Sequence, residues 1–241
     1  MKKNKNFSIK LLKESKILFA VLCSITLLSS CLKTYTDPRI DTSAHTVFVN
    51  TVPDGSSYNF YLDNFIVSNQ SVAFSYALPY IYVTAGSKKV DLIPRNTTQS
   101  VASDTILFKA KNYYTIFATG QANPEFVVLE DTPADLANPP AGKSRIRLVN
   151  LSPDSPNIDL FVDGPGGTNL FTNLAYKANT AFINVEPGAY NLDFRETGTT
   201  TVKFTKHVSI EPNRVHTIFA IGVWNALPGD PSLDMGLMDA R

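Results

Sequence analysis

The stretch Arg145-Ile146-Arg147-Leu148-Val149-Asn150, with Ile158-Asp159-Leu160-Phe161-Val162-Asp163 after it, repeats an earlier part of the same chain. One hundred residues upstream the sequence reads Val47-Phe48-Val49-Asn50 and then Tyr58-Asn59-Phe60-Tyr61-Leu62-Asp63, and a Pro-Asp pair separates the two stretches in both copies. Two copies of about 100 residues predict two domains, because a solenoid requires more and shorter repeats.

The limits of the copies follow from the rest of the alignment. Thr217-Ile218-Phe219-Ala220-Ile221-Gly222 matches a stretch 102 residues earlier, and a glycine-rich hairpin tip at 164–167 accommodates the two extra residues. We assign residues 45–132 to the first domain and 144–241 to the second. The proline-rich segment 133–143 is the expected semi-rigid linker.

Alternating apolar residues predict that each copy is all-β. Tyr58, Phe60 and Leu62 share one face of a strand, and so do Ile158, Leu160 and Val162. Other runs rich in Val, Ile, Thr, Tyr and Phe predict further strands. These lie at 46–52, 72–76, 80–84, 88–94, 105–109, 113–119, 126–130, 145–151, 180–185, 189–195, 201–210, 215–223 and 233–239. About seven strands per 100 residues predict two tandem immunoglobulin-like β-sandwich domains.

The N-terminus is typical of a secretory signal peptide at residues 1–30. Six lysines precede an uncharged run, Ile17 to Leu28, that is too short to span a bilayer. Leu28-Ser29-Ser30-Cys31 resembles the bacterial lipoprotein signal, which implies cleavage before Cys31 and lipid attachment to it. The alternative is an ordinary signal peptide. Residues 31–44 are then a tether.

The charge of the mature chain argues against a nucleic-acid partner. Residues 31–241 keep 16 of the 22 basic and 20 of the 21 acidic residues, which leaves a net charge of −4. The expected membrane contact is therefore the lipid anchor alone. Leu32 and Lys33 follow the cysteine without an acidic residue, and by resemblance to known sorting rules this favours the outer membrane of a bacterial cell envelope.

One family pattern is present in both copies. The runs from Arg145 to Pro156, from Ile158 to Gly164 and from Val185 to Tyr190 resemble the bacterial extracellular domain-of-unknown-function family numbered 4397. The first copy fits more loosely, since it has Val52 and Asn64 where the second has Ser152 and Gly164. The resemblance implies a lipoprotein with tandem domains, and it brings no catalytic residues.

No motif in the chain indicates catalysis, a cofactor or a metal. The three histidines, His45, His207 and His216, have no metal-ligand spacing, and no nucleophile elbow or phosphate loop is present. Asp154, Asp159 and Asp163 raise the question of calcium, which needs six to eight converging oxygens. We favour the alternative that Asp154 bonds its own turn after Pro153. A carboxylate pair for glycoside hydrolysis cannot be singled out.

Aromatic residues are the strongest candidates for partner contact. Tyr61, Tyr80 and Tyr82 alternate with presumed core residues, and Phe161 and Phe182 occupy corresponding places in the second copy. Outward aromatic rings can stack on sugars or anchor a protein partner. The alternative is that they pack across strands or against the neighbouring domain.

These patterns favour a non-catalytic, lipid-anchored envelope protein that works by adhesion, glycan contact or surface assembly. Two alternatives remain open at this point. One is a carbohydrate-active hydrolase with an unrecognised carboxylate pair, which a deep cleft with facing acids would favour. The other is a structural subunit whose exposed edge strands pair with a partner.

Overall fold

The computed structural model describes residues 42–163 and 167–240. Within them no helix has the length and apolar character needed to cross a membrane. The first copy contributes eight strands, β1 (Ser43–Asn50), β2 (Tyr58–Leu62), β3 (Phe65–Ile66), β4 (Ile81–Thr84), β5 (Gly86–Pro94), β6 (Ala102–Phe108), β7 (Tyr113–Thr119) and β8 (Glu125–Asp131). The second contributes β9 (Ser144–Asn150), β10 (Ile158–Val162), β11 (Asn169–Leu174), β12 (Ile183–Val185), β13 (Gly188–Glu196), β14 (Val202–Ile210), β15 (Val215–Ile221) and β16 (Asp234–Asp239).

The strands form four sheets, two to each copy. The first sandwich has an outer sheet in the order β3-β2-β5-β6 and an inner sheet in the order β4-β1-β7-β8. The second has an inner sheet β12-β9-β15-β16 and an outer sheet β11-β10-β13-β14. All pairs are antiparallel except the two central ones of the inner sheets, β1 with β7 and β9 with β15. The prediction of two tandem β-sandwiches is therefore confirmed.

Each sandwich has its own apolar core, and the predicted alternation fills it. Tyr58 and Phe60 are buried in the first core, and Ile158 and Leu160 take the same places in the second. The solitary tryptophan, Trp224, also lies in the second core. Burial of these side chains is the main favourable contribution to folding of each sandwich.

Three segments differ from the predicted strands. The strand expected at 72–76 is wrong, because Val72 forms only an isolated bridge to Tyr58 and the chain then turns. Strand β11, which pairs with β10, was not expected. Strand β3 was not expected either. It follows a two-residue hairpin at Asp63 and Asn64, which both have positive φ, as a tight turn of matching twist requires.

The asparagine repeated at the end of each first strand has a structural role. The Nδ2 atom of Asn50 donates to the carbonyls of Ser56 and Val72, and its side-chain oxygen accepts from the amide of Val52. Asn150 repeats the pattern with the carbonyl of Leu174 and the amide of Ser152. Both side chains are buried and fasten the loop that leads into the next strand.

The two sandwiches pack on each other through their inner sheets. Alternate residues of β1, β7 and β8 meet those of β9 and β15 in a third apolar cluster, which comprises Val47, Val49, Phe117, Val127, Leu129, Val149, Leu151, Phe219 and Ile221. The rings of Phe117 and Phe219 lie 5.3 Å apart. Gly236 lets Phe219 lie flat on β16, because a β-carbon there would collide with its ring. The inner sheets are therefore buried on both faces.

Repeated positions meet across this cluster. Phe117 and Phe219 correspond in the two copies, and their rings contact each other. At the end where β7 and β9 finish, the hydroxyl of Thr119 donates to the carbonyl of Leu151. The two copies therefore contact each other through both apolar packing and a hydrogen bond.

The segment between the copies is anchored to the second sandwich. Leu136 is fully buried and packs against Val215 and Ala240. Its amide donates to the carbonyl of Thr132, which closes a turn directly after β8. The linker at this point is a packed part of the structure.

The shared cluster predicts that the sandwiches unfold together. Phe117→Ala in the first sandwich should lower the free energy of unfolding by about 3–5 kcal/mol, because it leaves a cavity in the cluster. Urea unfolding followed by fluorescence of Trp224 reports on the second sandwich, and it should show the same loss in one transition. Leu227→Ala, which truncates an exposed side chain, is the control and should cost less than about 0.5 kcal/mol. If Phe117→Ala left the urea unfolding transition of Trp224 fluorescence unchanged, the two sandwiches would not unfold together.

Candidate functional site

A cleft opens at one side of the packed inner sheets, where the edge strand β8 faces the segment leading into β12. Its volume of about 390 Å³ lies within the range of small-ligand sites. We call it the junction cleft, and its lining is Val128, Leu129, Glu130, Asp131, Asp135, Arg145, Arg147, Asn179, Thr180, Ala181 and Phe182. Both copies and the linker contribute residues, so the cleft exists only because the sandwiches pack together.

A buried ion pair forms the floor of the junction cleft. Arg147 on β9 donates from Nη1 and Nη2 to the two carboxylate oxygens of Asp131 on β8, each at 2.7 Å. Its Nε donates to the hydroxyl of Thr217 at 3.0 Å. The side chains of the pair are 4% and 6% exposed. The bidentate geometry satisfies both charges and ties the last strand of the first sandwich to the first strand of the second.

A second arginine is left more open. Arg145 donates from Nη1 to the backbone carbonyl of Asp135 at 2.8 Å, and its guanidinium lies 5.0 Å from the centre of the Phe182 ring. Arg147 lies 4.5 Å from the centre of the same ring. Phe182 thus packs against two cations, an arrangement that fixes the plane of a guanidinium.

The other carboxylates of the cleft are held in their charged form. Hydrogen bonds from the hydroxyl and amide of Thr132 keep the pKa of Asp135 below its usual value. Bonds from Lys109 and Asn112 lower the pKa of Glu130 in the same way. Both groups are therefore ionised at neutral pH and already bonded within the protein.

The residues of the first copy that correspond to Phe182 and Arg145 have other partners. Tyr80, which corresponds to Phe182, donates from its hydroxyl to the carbonyl of Ala240 at 2.8 Å. Burial raises the pKa of Tyr80 to about 12. His45, which corresponds to Arg145, stacks on Tyr113 at 4.6 Å and meets the edge of Tyr82 at 4.9 Å. At these positions the first copy therefore makes aromatic and hydroxyl contacts, whereas the second copy lines the cleft.

The five aromatic residues predicted as contacts do not form one strip. Phe182 lines the junction cleft, and Tyr80 lies against the second sandwich, as the alternative interpretation expected. Tyr82 is 65% exposed beside His45. Tyr61 and Phe161 lie on the two outer sheets, and the guanidinium of Arg195 covers the Phe161 ring at 3.7 Å.

The aspartates considered for calcium are engaged separately. Asp154 does not bond its own turn as expected. It accepts the backbone N–H groups of Trp224 and Asn225 at 2.6 and 2.9 Å, which joins two loops of the second sandwich. Asp159 accepts from the amide of Asn173 and the hydroxyl of Thr197. In residues 42–163 and 167–240, no three His, Cys, Asp or Glu side chains are placed to hold a metal ion.

The predicted lipidation site lies elsewhere in the chain. Cys31 and the cleavage motif Leu28, Ser29 and Ser30 are outside the described residues, and so is most of the glycine-rich tip at 164–167. The signal peptide and lipid attachment therefore remain sequence-based predictions.

Sequence reasoning missed the junction cleft, although two signals pointed to it. Val47 aligns with Arg147 and His45 with Arg145, so the copies differ in charge where their strands otherwise match. The runs Val47-Phe48-Val49 and Thr217-Ile218-Phe219 are apolar on both faces, which is typical of sheets covered on both sides.

The Arg147–Asp131 pair predicts a large asymmetric effect of mutation. Asp131→Asn should lower the free energy of unfolding by about 3–5 kcal/mol, because it leaves the buried Arg147 without a counter-charge. Asp63→Asn, which weakens the exposed pair with Lys88 at 2.8 Å, is the matched control and should cost about 0–1 kcal/mol. Urea unfolding of both variants measures the difference. If both variants lost the same small amount of unfolding free energy, the Arg147–Asp131 pair would be as well solvated as an exposed ion pair.

Comparison with known proteins gives a family and two distant structural likenesses. No curated protein matches the sequence. The CBMbc module (family CBM26) of Eubacterium rectale Amy13K, solved with maltoheptaose, is 11% identical with a TM-score of 0.26, over 81% of this chain and 96% of that one. The Bacillus anthracis TIE protein is 12% identical with a TM-score of 0.24, over 74% of this chain, which spans only 33% of that one. Likenesses this low carry no argument about function.

The family match covers both sandwiches. The model described as "Domain of unknown function (DUF4397)" matches residues 44–161 and again residues 144–235. The chain belongs to the DUF4397 family and carries its domain in two tandem copies.

Proposed function

We propose that this protein is a non-catalytic, lipid-anchored module of a bacterial cell envelope that binds a glycan in the junction cleft. The observation that carries the proposal is the make-up of the junction cleft. Two guanidinium groups, three carboxylates and one phenylalanine ring surround a volume of about 390 Å³. Planar polar groups around a ring suit a polyhydroxylated ligand, since they donate to and accept from neighbouring hydroxyls.

The packing of the inner sheets supports a presenting role. The cleft lies between two sandwiches that share the cluster of Val47, Phe117, Val149 and Phe219, so β8 and β9 hold one part of its lining in place. A pre-formed site loses little conformational entropy when it binds a ligand. The proposed anchor is Cys31, with the outer membrane as the proposed location.

The carboxylates of the cleft favour binding over hydrolysis. A glycosidase of the usual type needs one carboxyl group with a raised pKa as its general acid. The pKa values of Glu130 and Asp135 are lowered, and Asp131 is engaged by both terminal nitrogens of Arg147. None of the three is arranged to carry a proton to a leaving group.

One edge strand carries a feature that disfavours strand pairing. On β14, an edge strand of the second outer sheet, Lys206 donates to Asp234 at 2.9 Å and to the carbonyl of Met235 at 2.7 Å, both on β16. A lysine on an edge strand discourages pairing with another chain at that edge.

Anchoring is tested by replacing the predicted lipidated cysteine. Cys31→Ala in the full-length precursor should move the protein from the membrane fraction to the soluble fraction, because acyl chains supply the proposed membrane affinity. Cys23→Ala, within the apolar run, is the matched control and should leave fractionation unchanged. A Cys31→Ala protein that still sediments with membranes would refute the lipid anchor.

Glycan binding is tested on an array with the purified protein in detergent. Phe182→Ala should weaken the affinity for the captured glycans by about 10-fold or more. This is the scale of the loss of one aromatic contact together with its packing. Ala181→Trp blocks the cleft from an exposed position and should act likewise without removing a packed side chain. Tyr82→Ala, at an exposed aromatic residue outside the cleft lining, is the control and should retain binding. Glycan signals indifferent to both cleft variants, or no signal at all, would overturn the proposal.

A further inference from the structure

We propose that the sugar recognised by the junction cleft carries a carboxylate, as a uronic acid does, and that Arg145 binds this group. The inference rests on the proposed glycan-binding function and specifies its ligand. It follows from which charges around the cleft are already matched within the protein and which are not.

The acidic side chains of the cleft already have partners. Asp131 is matched by Arg147 through two bonds of 2.7 Å. Glu130 bonds Lys109 at 2.9 Å and Asn112 at 2.6 Å. Asp135 accepts two hydrogen bonds from Thr132, at 2.6 and 2.8 Å. A ligand cation would have to displace one of these bonds.

Arg145 differs from Arg147 in what it bonds. Its Nη1 atom donates to a neutral acceptor, the carbonyl of Asp135. No carboxylate of residues 42–163 or 167–240 lies within ion-pair distance of its guanidinium, although Asp135 is close enough to interact at longer range. The side chain is half-buried, so the surrounding protein strengthens its attraction for an anion relative to bulk water.

The geometry of Arg145 suits a carboxylate better than an isolated hydroxyl. Phe182 packs against its guanidinium at 5.0 Å, and the bond from Nη1 holds one end of the group. The edge formed by Nε and Nη2 matches the two oxygens of a carboxylate in a bidentate pair. Asn179 and Thr180 also line the cleft. The hydroxyl oxygen of Thr180 accepts from the amide of Leu148, and Nδ2 of Asn179 donates to the carbonyl of Thr180, so the hydroxyl proton of Thr180 and the side-chain oxygen of Asn179 are the groups offered to sugar hydroxyls.

The corresponding position of the first copy shows why the feature is specific to the cleft. His45 occupies the place of Arg145 and stacks on Tyr113 at 4.6 Å, and Tyr80 occupies the place of Phe182 and donates to the carbonyl of Ala240. The first copy thus has no guanidinium at this position. The duplicated chain therefore offers the proposed bidentate contact once, at Arg145.

The test compares acidic oligosaccharides with their methyl esters, which keep the sugar and remove the charge. Calorimetric titration of the purified protein with glucuronate-, galacturonate- and mannuronate-containing oligosaccharides should show binding of at least one acid form and about 10-fold or weaker binding of its ester. Arg145→Gln should reduce affinity for the acid by about 10- to 100-fold, the range for a hydrogen bond to a charged group, and leave affinity for the ester nearly unchanged. Arg145→Lys keeps the positive charge but loses the bidentate guanidinium. Its affinity for the acid should lie between that of the unaltered protein and that of Arg145→Gln.

Arg95→Gln is the matched control, because it removes the same charge from an exposed arginine that lies after β5 and outside the cleft lining. Its affinity should equal that of the unaltered protein, and thermal unfolding of every variant checks that the fold is intact. Equal binding of acid and ester, an equal effect of Arg145→Gln on both, or binding of neutral glycans alone would overturn the carboxylate proposal and leave glycan binding standing. Absence of binding to any glycan, acidic or neutral, would overturn both.

Discussion

The burial of one apolar face against another, between the two inner sheets, is the constraint on which the rest of this molecule depends. A β-sandwich normally buries one face of each sheet and leaves the other in water. Here Val47, Phe117, Val149 and Phe219 point away from their own cores and are nevertheless buried. Neither inner sheet could expose these residues without presenting a large apolar patch to solvent. The two copies therefore form one packed unit of four layers, in which each sandwich supplies the cover that the other lacks.

Duplication within one chain explains how the two copies can differ at the junction. At one point equivalent residues meet each other, since Phe117 packs directly on Phe219. Elsewhere a residue of one copy meets a different residue of the other. Tyr80 and His45 of the first copy make hydroxyl and aromatic contacts, whereas Arg145 and Arg147 of the second copy line the cleft. A single chain with two copies can hold such asymmetry, whereas a homodimer of one copy would have to carry the same residues on both sides.

The fold was largely predictable from the sequence, because apolar and polar residues alternate strongly along strands that have one face in solvent. Tyr58 and Phe60 identify the core face of β2 without ambiguity, and Ile158 and Leu160 do the same for β10. The prediction at 72–76 failed because Val72 and its neighbours are apolar for another reason: they line a loop fastened by Asn50. Apolar character without a partner strand does not distinguish a strand from a packed loop.

The candidate site was beyond the same reasoning, since it arises from packing between the copies. Phe182 was singled out as an aromatic residue on a strand face, but its neighbours Arg145 and Asp135 are 37 and 47 residues away in sequence, and no spacing rule connects them. Arg147 carries the clearest signal, because a charge replaces Val47 in an otherwise apolar strand. A buried charge at such a position destabilises the fold unless it has a partner. Alignment of the two copies does not identify that partner as Asp131.

The Arg147–Asp131 pair is a costly way to close an interface, and that cost informs its role. Well-packed apolar residues often stabilise an interface as well as a buried ion pair or better, and apolar residues such as Phe117 and Phe219 form the shared cluster of this junction. The ion pair also fixes the orientation of neighbouring side chains. It fixes the guanidinium of Arg147 against one face of Phe182 and so sets the ring at the wall of the cleft, next to Arg145. Stability alone does not require this arrangement, whereas a pre-organised binding site requires a ring and a guanidinium held in fixed positions.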